Sequence, residues 1–296
     1  MSSLIAPALT TRSRSNNLER QDPHLLPLLD RPLILVAHPD DETACATLLQ
    51  RAYDPVVLFC TDGAPSAEFF WKSYSSRQEY ALVRRSEAKR ALAVLGLKTA
   101  YQLRDCVTRR AFKDQELYRE LHRAFPALMQ EVPGLDPGAI LAPAYEGGHP
   151  DHDACSFLAY LLGRELKTPV WEMPLYFRSQ NGQLMHQEFL NANGTEVALC
   201  PTTGELQRRA AMLAAYASQS DAASFVNSPL ELFRPQPDYD YSRPPHQGPL
   251  NYELWQWPMK GLEVCQAFER CLSQLSFTVE KTRQVQPSEA ESLSSS

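Results

Sequence analysis

Short apolar runs at residues 33–37, 56–60, 100–103, 139–143 and 170–173 alternate with stretches of helical periodicity at about 42–52, 78–95, 114–131, 151–166 and 204–217. The second of these stretches carries Ala81, Leu82, Ala88, Ala91, Leu92 and Leu95 at helical spacing. This alternation constrains the fold more than any other feature, because strand, helix, strand in succession is the pattern of a parallel sheet with crossover helices. The expected class is therefore α/β, a Rossmann-like, mostly parallel sheet with helices on both faces. In such folds ligands bind beyond the carboxyl ends of the strands.

Two polar clusters fall at such ends. Ala37-His38-Pro39-Asp40-Asp41-Glu42 follows the first apolar run, and Gly148-His149-Pro150-Asp151-His152-Asp153 follows the fourth. Zinc takes imidazole nitrogen and carboxylate oxygen, and a catalytic zinc site uses three protein ligands while keeping one position open. His38 and Asp41 supply two ligands. His149 and His152, three apart at a helix start, share a face, and either can supply the third. Asp40 and the remaining imidazole then fit the roles of proton acceptor and stabiliser of developing charge. Taken singly, each cluster reads equally well as an acidic helix N-terminus or a solvated turn. Together, at the strand ends of one α/β pattern, they point to a mononuclear zinc hydrolase.

With both clusters intact, the chain resembles the PIG-L/LmbE-like zinc-dependent N-deacetylases over about residues 30–225. Thr61-Asp62-Gly63, Arg84-Arg85-Ser86-Glu87, Leu95-Gly96, Asp105, Gln207-Arg208-Arg209-Ala210 and Tyr216-Ala217-Ser218-Gln219 extend the likeness. The resemblance implies Zn2+ held by His38, Asp41 and His152, with Asp40 as general base. It implies that His149 stabilises the oxyanion or protonates the leaving amine, its ring oriented by Asp151. Arg84 and Asp105 take positions that contact sugar or aglycone hydroxyls, although Arg85 is an alternative to Arg84 and Asp105 also reads as a turn residue. Tyr145 is a further candidate substrate contact. The stretch Tyr145-Glu146-Gly147-Gly148 reads either as a flexible loop over the metal or as a plain strand-to-helix turn. The implied reaction removes the N-acetyl group from an N-acetylglucosamine-type sugar conjugate, metal-bound water attacking the acetamide carbonyl. The alternatives are a zinc amidase acting on another acyl amide, or a non-catalytic metal-binding protein on the same fold. A structural zinc site is closed by four ligands and needs neither Asp40 nor His149, which disfavours the last.

Composition agrees with a globular enzyme of 296 residues, 44% hydrophobic and 22% charged. A single domain is expected over 30–280, with disordered or extended tails at 1–29 and 281–296. A net charge of −6 argues against a nucleic-acid binder and suits a small-molecule or glycan-conjugate substrate. No apolar run is long enough for a transmembrane segment. Seven cysteines without a Cys-x-x-Cys pair read as reduced thiols, and hence as a cytoplasmic protein. The sequence leaves a homo-oligomer open.

Residues 225–260 crowd prolines among tyrosines and tryptophans. They are expected to lack regular structure and to serve as a lid or a covering layer. A last helix is expected at 261–275. His24, His122, His186 and His246 fit no ligand spacing and stay outside the site. The absence of Gly-x-Gly-x-x-Gly disfavours a nicotinamide or flavin enzyme.

Overall fold

A computed structural model describes residues 23–98, 100–219, 226 and 228–285, the span 276–285 by its backbone alone. Its strands are β1 (Pro32–Val36), β2 (Val56–Phe59), β3 (Thr61–Pro65), β4 (Ala100–Gln102), β5 (Phe112–Asp114), β6 (Ala139–Pro143), β7 (Val170–Met173), β8 (Tyr176–Arg178), β9 (Leu184–His186), β10 (Val197–Leu199) and β11 (Glu231–Pro235). The central sheet runs β10-β11-β7-β6-β1-β2-β4. From β7 to β4 every pairing is parallel, whereas β11 lies antiparallel to β7 and β10 antiparallel to β11. β3 and β5 form a separate parallel pair, and β8 and β9 an antiparallel one.

The apolar runs become central strands because both of their faces are covered, which favours continuous hydrophobic sequence over alternation. On β1, Leu33 and Leu35 face one side, where they meet the helices Leu121–Glu131 and Pro150–Leu166. Ile34 and Val36 face the other, against Leu48, Leu49, Ala88, Ala91, Leu92 and Met212. The latter side is covered by the helices Ala46–Arg51, Arg77–Val94 and Thr203–Ala214. Local signals fix where two of these helices begin. Ser76 accepts from the Glu79 N–H, and Thr202 and Glu205 form a reciprocal capping box.

Several expectations are corrected. The helix read over 114–131 begins only at Leu121, since Phe112–Asp114 pairs as a strand and Leu117–Arg119 is a 3-10 turn. The backbone N–H groups of Gln115 and Leu117 there donate to the Asp151 carboxylate instead of to a helical ladder. Residues 23–29, expected in the N-terminal tail, are helical, with Leu25, Leu28 and Leu29 buried against the second core face. Residues 1–22 lie outside the described residues. Regular structure also occurs within 225–260, as β11 and the short helix Asn251–Leu254. The final helix spans Gly261–Val285 and so passes both its expected end and the start of the expected C-terminal tail, whose residues 286–296 lie outside the description. Among the described residues no helix is long and apolar enough to cross a membrane.

Candidate metal centre

Strand order reverses between β1 and β6: β1 leads to β2 and β4 on one side, while β6 leads to β7 on the other. That divergence opens a crevice at the carboxyl ends of the two strands. The chain leaving β1 brings His38, Asp40 and Asp41 into it, and the chain leaving β6 brings His149 and His152.

The first turn is tight. The His38 N–H donates to Asp41 Oδ2 at 2.8 Å, and Asp41 N–H returns to the His38 carbonyl at 3.3 Å. Asp40 stands at φ +122°, a conformation that costs a non-glycine residue on the order of 1–3 kcal/mol unless its surroundings impose it. They do. Its N–H donates to Glu42 Oε2 at 2.9 Å, and its carbonyl accepts from Thr43 N–H at 3.0 Å and Thr43 Oγ1 at 2.6 Å. The other Glu42 oxygen receives the Tyr216 hydroxyl. Arg84 donates to the Pro39 carbonyl at 2.5 Å and lies 3.4 Å from Asp40 Oδ1. Burial, partly offset by Arg84 and reinforced by Asp41, raises the Asp40 carboxyl to about 6. Burial opposes ionisation of Asp41 too, but His152 and His38 outweigh it and hold that carboxyl well below its usual range.

The second turn uses a proline at the first position of the helix Pro150–Leu166, where no N–H is needed. His149 caps this helix, its Nδ1 accepting the Asp151 N–H at 3.1 Å. In the neutral ring the proton therefore sits on Nε2, which lies 3.3 Å from Asp114 Oδ1. Burial, with the charge of His38, lowers the pKa of His149 and favours that neutral form. His152 Nε2 is 3.1 Å from Asp41 Oδ1. His38 Nδ1 is 3.5 Å from Asp41 Oδ2, while its Nε2 meets Asp114 Oδ1 at 3.1 Å and Asp151 Oδ2 at 3.3 Å. The Asp151 carboxylate lies near the His149 ring, within the same group of donors, but its hydrogen bonds go elsewhere. The N–H groups of Gln115 and Leu117, at 2.6 and 3.0 Å, and His38 draw it elsewhere, and the carboxylate opposite His149 Nε2 is that of Asp114.

Two overlapping groups of donors result, His38 with His149 and His152, and His38 with Asp114, His149 and Asp151. Asp41 joins them through its contacts to His38 and His152. Asp114 Oδ1 is buried and within ion-pair distance of two imidazoles, yet it has hydrogen-bond geometry to neither. Imidazole nitrogens and carboxylate oxygens converging in this way are the donor set zinc takes, so the residues fit that ion.

The substrate contacts read from sequence divide. Arg84 is buried and lines the cavity, whereas Arg85 is exposed. Asp105 stays out of the cavity lining: it accepts from Val107 N–H, Thr108 N–H and Arg123 Nε at 3.1, 2.5 and 2.8 Å, the turn reading. Tyr145 points into the core, its hydroxyl donating to the Arg243 carbonyl at 2.8 Å. The stretch 145–148 is a buried turn and no flexible cover. A Cβ on Gly148 would stand 1.9 Å from the Tyr176 carbonyl oxygen. Sequence reasoning missed Asp114 and Tyr176, which line the cavity together with Trp257 of the proline-rich aromatic segment. The buried, exposed, buried pattern of Phe112, Lys113 and Asp114 marks a strand, but over three residues it is too short to register as one.

Residues 33–162 match the PIG-L family, described as GlcNAc-PI de-N-acetylase. The chain is 32% identical over 129 residues, 41% of its length, to the probable N-acetyl-alpha-D-glucosaminyl L-malate deacetylase 2 of Bacillus anthracis. It spans about half of that relative, 54% of its length. Among solved structures, the A40926 pseudoaglycone deacetylase Dbv21 is similar with a TM-score of 0.51 and 19% identity, over 69% of this chain and 96% of that one. A triple mutant of the deacetylase Orf2 of the teicoplanin biosynthetic pathway gives 0.52 and 19%, over 71% and 99%. At such identity these two likenesses show the fold alone.

Proposed function

From a chain whose residues 33–162 match the PIG-L family, we propose a zinc-dependent hydrolase that removes the N-acetyl group from an N-acetylglucosamine-type conjugate. The observation that carries this reading is the convergence of His38, Asp41, His149 and His152 at the switch point of the sheet, with Asp40 held beside them in a strained turn. His38, Asp41 and His152 would hold the ion. When bound, zinc supplies Lewis acidity, polarising an amide carbonyl and making water more acidic.

The chain's own residues do the rest. Asp40 takes the proton of the attacking water, its carboxylate fixed by the hold of Glu42 and Thr43 on its backbone and by Arg84 beside its side chain. His149, with Nδ1 occupied by the Asp151 N–H, has Nε2 as its donor toward the carbonyl oxygen as charge develops there, or toward the departing amine. The Asp114 carboxylate, 3.3 Å from that nitrogen, places negative charge beside the N–H that His149 offers. Arg84 lines the cavity and remains the substrate contact. Asp105 and Tyr145 are assigned to structure.

Metal analysis coupled to acetate release from N-acetylglucosamine conjugates tests the reading. The purified protein should carry about one zinc per chain, lose acetate release on chelation and regain it with zinc. Asp40→Asn should keep the metal and lower kcat on the order of 10²–10⁴-fold, the usual contribution of a general base. Acetate release indifferent to chelator, or metal loss in Asp40→Asn, would overturn the assignment.

A further inference from the structure

The cavity over the imidazoles has a volume of about 210 Å³, below the roughly 300–1,000 Å³ of pockets that enclose a drug-sized ligand. In the proposed reading the acetamido sugar ring would occupy it, and the remainder of a conjugate would lie at the mouth. The polar groups of the cavity are its deep part, since His38, His149 and His152 are all buried. The mouth is aromatic. Phe70, Tyr176 and Trp257 line it partly buried, and Phe69 beside them is 73% exposed.

These rings form an arc built from three distant stretches of chain. Ring centroids are 5.5 Å apart for Phe69 and Phe70, 6.2 Å for Phe70 and Trp257, 5.2 Å for Trp257 and Trp255, and 6.0 Å for Trp255 and Tyr176. The arc is continuous with the candidate metal centre, for Trp257 lies 4.9 Å from the His149 ring and Tyr176 5.3 Å from that of His152. Large apolar groups left facing water in a contiguous patch mark a ligand surface more often than a stray exposure.

Charge narrows the ligand. Among the described residues lining the cavity, Arg84 is the one lysine or arginine, and its guanidinium is engaged by the Pro39 carbonyl and Asp40. The other charged side chains of the lining are the acids Asp40, Asp41 and Asp114. Lys72 lies at the outer end of the arc, its ammonium over the Phe69 ring at 5.2 Å. A dianionic aglycone would find aromatic faces here where it needs a cluster of cations.

We propose that the arc of Phe69, Phe70, Trp257, Trp255 and Tyr176 is an aglycone subsite that takes an uncharged, apolar group attached to the N-acetylated sugar. The proposal rests on the deacetylase reading above and deepens it.

The zinc-loaded full chain is offered phenyl N-acetyl-α-D-glucosaminide, N-acetyl-α-D-glucosaminyl malate and free N-acetylglucosamine, and acetate release is followed for each. The phenyl conjugate should exceed the malate conjugate in kcat/KM by about tenfold or more, the scale set by burial of one aromatic ring. The double variant Phe69→Ser, Phe70→Ser should lose most of that advantage through KM, its phenyl-to-malate ratio of kcat/KM falling toward one. Tryptophan fluorescence, titrated with the phenyl glycoside, reads the subsite independently of turnover. Saturable binding that weakens in the double variant supports the subsite, and with no acetate released from any sugar it would leave the subsite standing and remove the deacetylase reading. Acetate release that is equal for the two conjugates or favours malate, or phenyl-glycoside binding indifferent to the double substitution, would overturn the subsite.

Discussion

At the scale of single residues, the clearest feature is that Asp40 occupies a backbone conformation it would not choose. Its φ of +122° is imposed by Glu42, and Glu42 is in turn fixed by Tyr216, which comes from 174 residues further along the chain. Tyr216→Phe would leave a buried Glu42 oxygen without its donor, at a cost of about 1–3 kcal/mol. The expected result is a fall of that size in unfolding free energy, unchanged zinc content, and a kcat lower by about tenfold as the Asp40 carboxylate wanders. An unaltered kcat would show that Thr43 and Arg84 hold the turn alone. Asp105 gives the opposite test. Because its carboxylate is engaged by its own turn and by Arg123, Asp105→Ala should lower the melting temperature and leave kcat/KM for acetate release within about twofold. His38, Asp41, His149 and His152 were legible because they sit in contiguous clusters whose donor types are diagnostic. Asp114 was not, because it reaches the cavity only through the pairing of β5 with β3, a contact between distant parts of the chain that no local pattern reveals.

At the scale of elements, the central parallel strands were legible to within about a residue, since strands covered on both faces must be apolar throughout. The two antiparallel strands at one end of the sheet were not. β10 has three residues, and β11 carries Glu231 and Arg234 within a proline-rich stretch, its formation depending on partners such as Glu172, 2.7 Å from Arg234 Nε. Glu231 also joins this edge to the helix Ala46–Arg51, its carboxylate accepting the N–H groups of Thr47 and Leu48 at 2.6 and 3.0 Å. Burial raises its pKa from 4.5 to about 7 against the pull of those N–H groups. A carboxyl raised on folding binds its proton more tightly in the native state. Its stabilising effect is thus complete below pH 4.5 and is lost as pH rises through about 7. Across that window the loss is about 3 kcal/mol, at 1.36 kcal/mol per pH unit of separation. Urea unfolding of wild type and Glu231→Gln at pH 4.5, 6 and 8 checks this. The wild type should lose stability relative to the variant as pH rises, and parallel profiles would show that Glu231 does not titrate in this range.

At the scale of the whole molecule, the proline-rich segment, over its described residues 228–260, is at once a covering layer and a wall of the cavity. Tyr241, Leu250 and Tyr252 are buried in the main core, while Trp257 faces the metal centre. Between them Asn251 reaches the turn that presents His149. Its N–H donates to the Gly147 carbonyl and its Nδ2 to the Gly148 carbonyl, each at 2.9 Å, and its Oδ1 accepts from Arg178 Nε at 2.9 Å. Gly148 is simultaneously pressed against the Tyr176 backbone, with no room for a Cβ. The turn is therefore clamped between the segment and β8, and the segment's packing is transmitted to the histidine. Asn251→Ala removes both side-chain bonds and leaves the Gly148 carbonyl buried without its partner, a loss of about 2–4 kcal/mol for one buried and one partly buried hydrogen bond. Thermal or guanidinium unfolding should show that loss. Acetate release, measured well below the melting temperature of the variant, should show a lower kcat with zinc retained, because His38, Asp41 and His152 do not depend on the position of His149 for their own contacts. Loss of stability with an unchanged kcat would mean that the helix cap at His149, made by its own Nδ1 and the Asp151 N–H, is sufficient to hold the ring in place.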